Sequence, residues 1–397
     1  MSPCANVRPM LLLIALLPGF ACGTQDPDSV TLRVDREMLQ EIEKAEIPIQ
    51  SFGEPEGETQ QITASPAILP LLSDVSHDQL GRCGGFFWED GSPEAALLPS
   101  TWRQDPNLLM ISEFVTLSAL LPLVEETKIR KTITDLSAFH NRYYTAPSGT
   151  QSQEYLYAQW ELLTQSRNDV QLSIVQHPGW PQPSVKLTFV GSSLPEEEVV
   201  IGGHGDSIVS SLFGTAKVEA PGADDNASGI AVMTEVIRIL ASQDHKPKRS
   251  ITFLSYAAEE VGLRGSGAIA KQYAQERIQV VGVMQLDMVN FNPNVLDPTI
   301  SLIDDYTDKA QTQFLEDLID QYVKIKHQRD RCGYACSDHA SWSKAGYPAV
   351  LPFEAKNKDR NRQIHSKKDT LAHSKGEARH AVHFAKIALA YAVELAN

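Results

Sequence analysis

Five short stretches of this sequence carry histidines and carboxylates of the kinds that bind divalent metals. They are "GGHGDS", with His204 and Asp206; "PGADDNASG", with Asp225; "SYAAEE", ending at Glu259 and Glu260; "QLDM", with Asp287; and "QIHSKKDT", with His365. Converging carboxylates repel one another, and an unpaired buried charge is costly, so such a group needs cations to exist in an interior. Imidazole and carboxylate ligands without thiolates suit zinc or a similar first-row ion, and two metals sharing a carboxylate sit about 3.5–4 Å apart. Two dications balance three ligating carboxylates and a hydroxide. Adjacent residues at a strand end point to different sides. One glutamate can therefore hold metal while its neighbour faces the attacking water as general base.

Taken singly, each stretch has an ordinary alternative. His204 would pass for a core or surface histidine, Asp225 for a helix N-cap, Asp287 for a strand-end turn residue, His365 for a loop residue and the glutamate pair for a solvated turn. Their weight lies in occurring together. The remaining histidines, His339 among them, read as structural or surface residues.

These residues sit at the ends of elements. "LSIVQ", "SVKLTFVG", "EEVVIGGH", "SITFLSYA", "VVGVMQLDMV" and "PAVLPF" read as strands, and "QSQEYLYAQWELLTQ", "GIAVMTEVIRIL", "TQFLEDLIDQYVKI" and the residues after Gly376 space apolar positions three and four apart, as helices do. Such alternation implies an α/β domain with a mixed, mainly parallel central sheet flanked by helices, where function collects at the carboxyl ends of strands. Helical spacing of Ile129, Ile133 and Leu136 marks its beginning.

At 42% hydrophobic and 21% charged, the 397 residues can bury a sizeable core and allow two or three domains. Of the formal charge of −15, most lies early: residues 23–105 hold 16 acidic and 5 basic side chains, with text such as "FGEPEGETQQ". This segment reads as a small, partly flexible module. An acidic chain without basic patches excludes nucleic acid as a partner. Arg8, the apolar run "MLLLIALL" and the small-residue stretch "PGFAC" make residues 1–22 a secretory signal peptide. That run is too short to span about 30 Å of hydrocarbon, and no later stretch reaches the roughly 20 apolar residues of a membrane helix. The expectation is a secreted protein without a membrane span. Cys22 offers lipid anchoring as an alternative, which Gly19 and Phe20 fit poorly.

"GGHGDS", "PGADDNASG", "AAEEVGLRGS", "QLDM" and "CGYACSDHASWSKAGYPAVLPFEA", with the terminal "IHSKKDT", together resemble the co-catalytic dizinc aminopeptidases, in particular their secreted bacterial leucyl members. The likeness runs from about Pro106 to the C-terminus. The upstream "SHDQLGRCGGFFWED" resembles the propeptide of such precursors. The resemblance implies the zinc-dependent exopeptidase fold over 107–397, a propeptide over 23–106, and a monomer acting on peptide or protein N-termini. It implies two zinc ions: one on His204 and Asp287, the other on Glu260 and His365, with Asp225 bridging. Glu259 would be the general base, Asp206 the carboxylate steadying the histidine ring, and the peptide bond after Asp225 would be cis. Tyr334 would support the oxyanion, and Met288, Ile303, Tyr334, Cys336, Phe353 and Ile364 would line an apolar pocket for a large N-terminal side chain. Cys332 and Cys336 would form a disulfide, shaping the pocket wall; Cys4 leaves with the signal, and Cys83 has no evident partner. Asn357 departs from the family, which places a second aromatic there.

Two other readings remain at this level. One is carboxypeptidase or glutaminyl cyclase chemistry on the same scaffold, although the motifs show no clear cation to receive a C-terminal carboxylate. The other is a secreted binding domain that lost its metals, which the intact metal positions and Glu259 disfavour. Asn226-Ala227-Ser228 also spells a glycosylation acceptor, at odds with a place beside a metal centre.

Overall fold

The computed structural model describes residues 29–56, 59–82, 84–88, 108–209 and 215–397. The expected signal peptide, Cys22, Cys83 and the expected boundary near residue 106 lie outside them.

The acidic N-terminal segment, expected to be a partly flexible module, builds an antiparallel sheet from β1 (Val30–Asp35), β2 (Ser51–Glu56), β3 (Thr59–Ala64) and β4 (Phe86–Trp88), in the order β2-β3-β1-β4. Alternation explains it: Leu32, Val34 and Ile62 turn inward and meet Met38, Leu72 and Phe86 in a core of their own. Charge density hid this pattern from the sequence reading. Asp35 caps the helix Arg36–Lys44 by accepting from the backbone N–H groups of Glu37 and Met38 at 2.9 and 3.0 Å.

The apolar runs downstream form the central sheet: β5 (Val170–Val175), β6 (Ser184–Phe189), β7 (Leu194–His204), β8 (Arg249–Tyr256), β9 (Gln279–Gln285) and, beyond β10 (Thr299–Ile303) and β11 (Lys326–Asp330), β12 (Ala349–Val350). Their order is β12-β9-β7-β8-β6-β5. The first four are mutually parallel, while β6 and β5 run antiparallel at one edge. β10 pairs with β11 and with β13 (Pro352–Phe353) in a smaller sheet.

Period-two alternation decides which helix meets which face. Val199, Ile201, Ile251, Phe253 and Met284 pack into the cluster that holds the helices Glu126–Ser137, Ala227–Ser242 and Arg379–Ala396. Val200, Leu254, Val280 and Val283 point the other way, onto Ile269, Tyr273 and Trp342 of the helices Arg264–Glu276 and His339–Lys344. Both faces are covered, which accounts for strands apolar along nearly their whole length. The carboxyl ends of β7, β8 and β9 therefore lie side by side, and the sequence-predicted metal residues follow them.

Candidate metal centre

β7 delivers His204 at its last residue, and the side chain is fully buried. Its Nε2 lies 3.1 Å from Oδ1 of Asp225 and 3.4 Å from Oδ1 of Asp287, which stands two residues past β9. Asp225 precedes the helix Ala227–Ser242 through a cis bond to Asn226. Asn226 supplies the N-cap, accepting from Gly229 N–H at 3.0 Å, so the capping role does not fall to Asp225. Asn226 is buried and donates its amide to Leu286 O, which rules out a glycan. The other carboxylate oxygen of Asp225, Oδ2, is 3.0 Å from Nε2 of His365, and that nitrogen is 3.4 Å from Oε2 of Glu260. Asp225 thus faces two histidines, one through each oxygen.

The glutamate pair arrives differently from the strand-end alternation expected. β8 stops at Tyr256, and Ala258 adopts φ of 55°, which a strand cannot accommodate. The chain then folds into a turn in which Glu259 O accepts from Gly262 and Leu263, both at 2.9 Å. Glu259 and Glu260 consequently converge on His204 instead of diverging, with one ligand atom from each of the three within 4.8 Å of the others. Left-handed backbone recurs around the centre, at Met288 (53°) beside Asp287 and at His365 (54°) itself. Strain of this kind persists where the surroundings over-determine it.

Asp206 explains how the turn is held. Its Oδ1 accepts from Glu259 N–H at 3.0 Å and its Oδ2 from Glu260 N–H at 3.2 Å, while Oδ1 lies 3.5 Å from His204 Nδ1. One buried carboxylate positions both glutamates and the histidine. Asp206→Asn keeps the shape but leaves one backbone N–H without its acceptor. The expected result is a folded protein with metal affinity lowered about 10–100-fold, read by competitive zinc titration; unchanged affinity would mean the turn holds itself.

Several contributors were missed by the sequence reading. Ser337 donates to Asp287 Oδ2 at 2.6 Å, leaving Oδ1 aimed at His204. Asp369, within the quoted "IHSKKDT", accepts the N–H groups of Asp224 and Asp225 at 3.0–3.3 Å. The buried Arg142 donates to the carbonyls of Leu136, Gly205, Pro221 and Gly222 and ties the loops of the centre together. His339 is buried with Nε2 at 3.1 Å from Asp305 O, a structural place as expected. His77, grouped with structural or surface histidines, is instead buried against Glu260 and His365. The quoted "SHDQLGRCGG" contained it, but nothing local ties it to residues 183 and 288 positions on.

The ligand set fits metal. Nε2 of His204, both carboxylate oxygens of Glu260 and Oδ1 of Asp287 are buried and make no hydrogen bond to protein, an arrangement that costs several kcal/mol unless a cation takes it up (on the order of 3–5). Burial, with Asp225 nearby, pushes the Glu260 carboxyl up to about 7. Burial, despite His204 and with Glu260 adding to it, raises Glu259 well above the usual carboxylate range. His365 rises to about 10 against its burial, through Glu260 and Asp225.

Met288, Ile303, Tyr334, Cys336 and Phe353 gather with Leu351 into one apolar cluster, against which Ile364 packs. Met288 and Ile364 adjoin the metal-site residues Asp287 and His365 directly. Cys332 and Cys336 are joined in a disulfide with Cα atoms 6.2 Å apart. Asn357 stands apart from the cluster: its side-chain oxygen accepts from Arg360 at 2.8 Å and its N–H donates to Asp330.

The sequence pattern of Peptidase family M28 matches residues 185–392. Leucine aminopeptidase 1 of Pyrenophora tritici-repentis is 35% identical over 290 residues, 71% of this chain and 73% of its own. Among solved structures, the LapA aminopeptidase of Legionella pneumophila is similar with a TM-score of 0.79 and 26% identity, covering 94% of this chain and 99% of its own. LapB of the same organism gives 0.79 and 29%, covering 93% and 99%. Residues from 108 onward cannot make up such shares alone, so these two likenesses extend into the N-terminal sheet.

Proposed function

This chain belongs to peptidase family M28, and from that premise we propose that its buried ligands hold two zinc ions, with Glu259 as general base. It is a zinc-dependent metalloaminopeptidase that removes N-terminal residues from peptides. His204 and Asp287 would hold one ion and Glu260 and His365 the other, with Asp225 within reach of both. Bound there, zinc supplies Lewis acidity towards water and the scissile carbonyl.

The chain's own groups do the rest. Glu259 takes a proton from the attacking water at its carboxylate and returns it to the leaving amine. Its buried position, beside Glu260 and away from bulk water, favours holding that proton between the two steps. The Tyr334 hydroxyl steadies the developing oxyanion. The free α-amino group docks on the Glu260 and His365 side, and the apolar cluster around Met288, Ile303 and Phe353 receives a large apolar side chain. The observation that carries this reading is the set of buried lone pairs on His204, Glu260 and Asp287 that no protein group satisfies. Two zincs per chain by elemental analysis, and release of leucine from a free peptide but not its N-acetylated form, are the expected results. One zinc or none in an active enzyme would overturn the shared-ligand scheme.

Carboxypeptidase chemistry is disfavoured by Arg142: its guanidinium is taken up by four backbone carbonyls and is unavailable for a substrate carboxylate. Asn357, held by Arg360 outside the apolar cluster, leaves that side of the pocket without an aromatic. Asn357→Phe should favour leucyl over polar N-termini by roughly 10-fold in kcat/KM, about what one apolar contact contributes. A specificity ratio unchanged from wild type would show that residue 357 does not reach the substrate.

Residues 1–22 act as an export signal, making the enzyme secreted, and 23–106 as a propeptide removed to leave 107–397. In support, the N-terminal sheet has its own core, and Ser73, Arg82 and Trp88 contact Glu260, Tyr334 and Arg264. No helix among the described residues is long and apolar enough to cross a membrane. The mature enzyme acts as a monomer.

A further inference from the structure

We propose that His77 is a metal ligand in the unprocessed chain, its Nε2 joining Glu260 and His365 on one ion. The N-terminal sheet would then restrain the enzyme by coordination.

The ligand atoms of His77, Glu260 and His365 lie within 4.8 Å of one another. Two donors on one tetrahedral zinc, each about 2.0–2.1 Å from it, are about 3.4 Å apart. His77 Nε2 is 3.5 Å from Glu260 Oε2, matching the 3.4 Å from His365 Nε2 to that same oxygen. The side chain is 1% exposed, and its Nε2 makes no hydrogen bond. A buried ring nitrogen left this way beside a carboxylate and a second imidazole is costly unless something shares its lone pair.

Ser73 sets the tautomer. Its hydroxyl donates its single proton to Glu260 O at 2.8 Å, so towards His77 Nδ1, 3.3 Å away, it acts as acceptor. The ring proton therefore sits on Nδ1, and the lone pair of Nε2 faces the centre. Metal-bound histidines are held this way by a partner on their other nitrogen. The His77 ring also lies against that of His365, tilted by 42° with ring centroids 3.9 Å apart. The seat is built from both sides: the ring of Phe86 lies where a Cβ on Gly262 would come within 2.7 Å, Ala335 O lies 2.6 Å from a Cβ on Gly84, and Arg82 caps the Tyr334 ring at 4.2 Å. The segment that carries His77 thus also reaches Tyr334 of the apolar cluster. Coordination would occupy the metal, and Arg82 covers the Tyr334 ring.

The inference rests on the dizinc propeptide reading above, so the test separates the two. The unprocessed full chain is loaded with cobalt(II) in place of zinc, as wild type, His77→Ala and His77→Gln. Both variants are expected to change the visible absorption of cobalt and to weaken metal binding on the order of tenfold. In the zinc form, X-ray absorption of the wild type should count three imidazoles per metal pair; this reading does not depend on any variant folding. Superimposable cobalt spectra with equal affinity, or two imidazoles, would overturn the proposal. Restraint is read apart from ligation: His77→Ala should raise the rate of leucine p-nitroanilide hydrolysis by the unprocessed chain about tenfold or more. Equal rates in unprocessed and processed wild type, with the spectral change intact, would remove the propeptide's restraining role and leave His77 a ligand.

Discussion

Glu259→Gln is expected to retain its zinc and lose about 10²–10⁴-fold in kcat, the range a positioned general base contributes. The amide keeps the shape of the carboxylate but has no basic oxygen to accept the water's proton. Neighbouring carboxylates are engaged elsewhere: Glu260 faces His365 at 3.4 Å, Asp206 accepts from two backbone N–H groups, and Asp338 accepts from the Gln285 amide at 2.8 Å. Metal content by elemental analysis and kcat on a leucyl substrate decide the matter together. Wild-type kcat in the variant would remove Glu259 from the proton transfer, and loss of zinc would make it a ligand.

Asp225→Asn is expected to fail differently, by releasing metal. Replacing a supporting carboxylate behind a ligand already costs about 10–100-fold in affinity, and Asp225 meets His204 with one oxygen at 3.1 Å and His365 with the other at 3.0 Å. Its loss should therefore exceed roughly 100-fold and strip the enzyme in mild chelator that leaves wild type loaded. The fold should survive, because Asn226 caps the helix and Asp369 still holds the backbone of Asp224 and residue 225. Full zinc retention would show that Asp225 lies beside the ions without binding them.

What was legible in the sequence was what local pattern determines. Period-two and period-3.6 spacing placed β5 to β9 and the helices Ala227–Ser242 and Arg379–Ala396, and residues at their ends marked the edge where His204 and Asp287 meet. Ile129, Ile133 and Leu136 are buried along one helix, as their spacing required. Illegible were arrangements made by contact across the chain. Ser73 and Glu260 are 187 residues apart, and Asp224 and Asp369 are 145 apart, so neither pairing leaves a local trace. The glutamate pair was found for an incomplete reason: its convergence comes from the left-handed turn at Ala258 and the grip of Asp206, which alternation along a strand does not describe. Acidic composition around its strands likewise drew attention from a sheet that buries Val30, Leu32, Val34, Ile62 and Phe86.

The most direct test is hydrolysis of leucine p-nitroanilide by the purified, processed protein, with chelator, with zinc restored, and with an N-acetylated substrate beside it. The expected result is activity abolished by chelation, recovered with zinc and absent for the blocked amine. Hydrolysis that persists after complete removal of metal, or that proceeds equally on the acetylated substrate, would contradict a metal-dependent aminopeptidase.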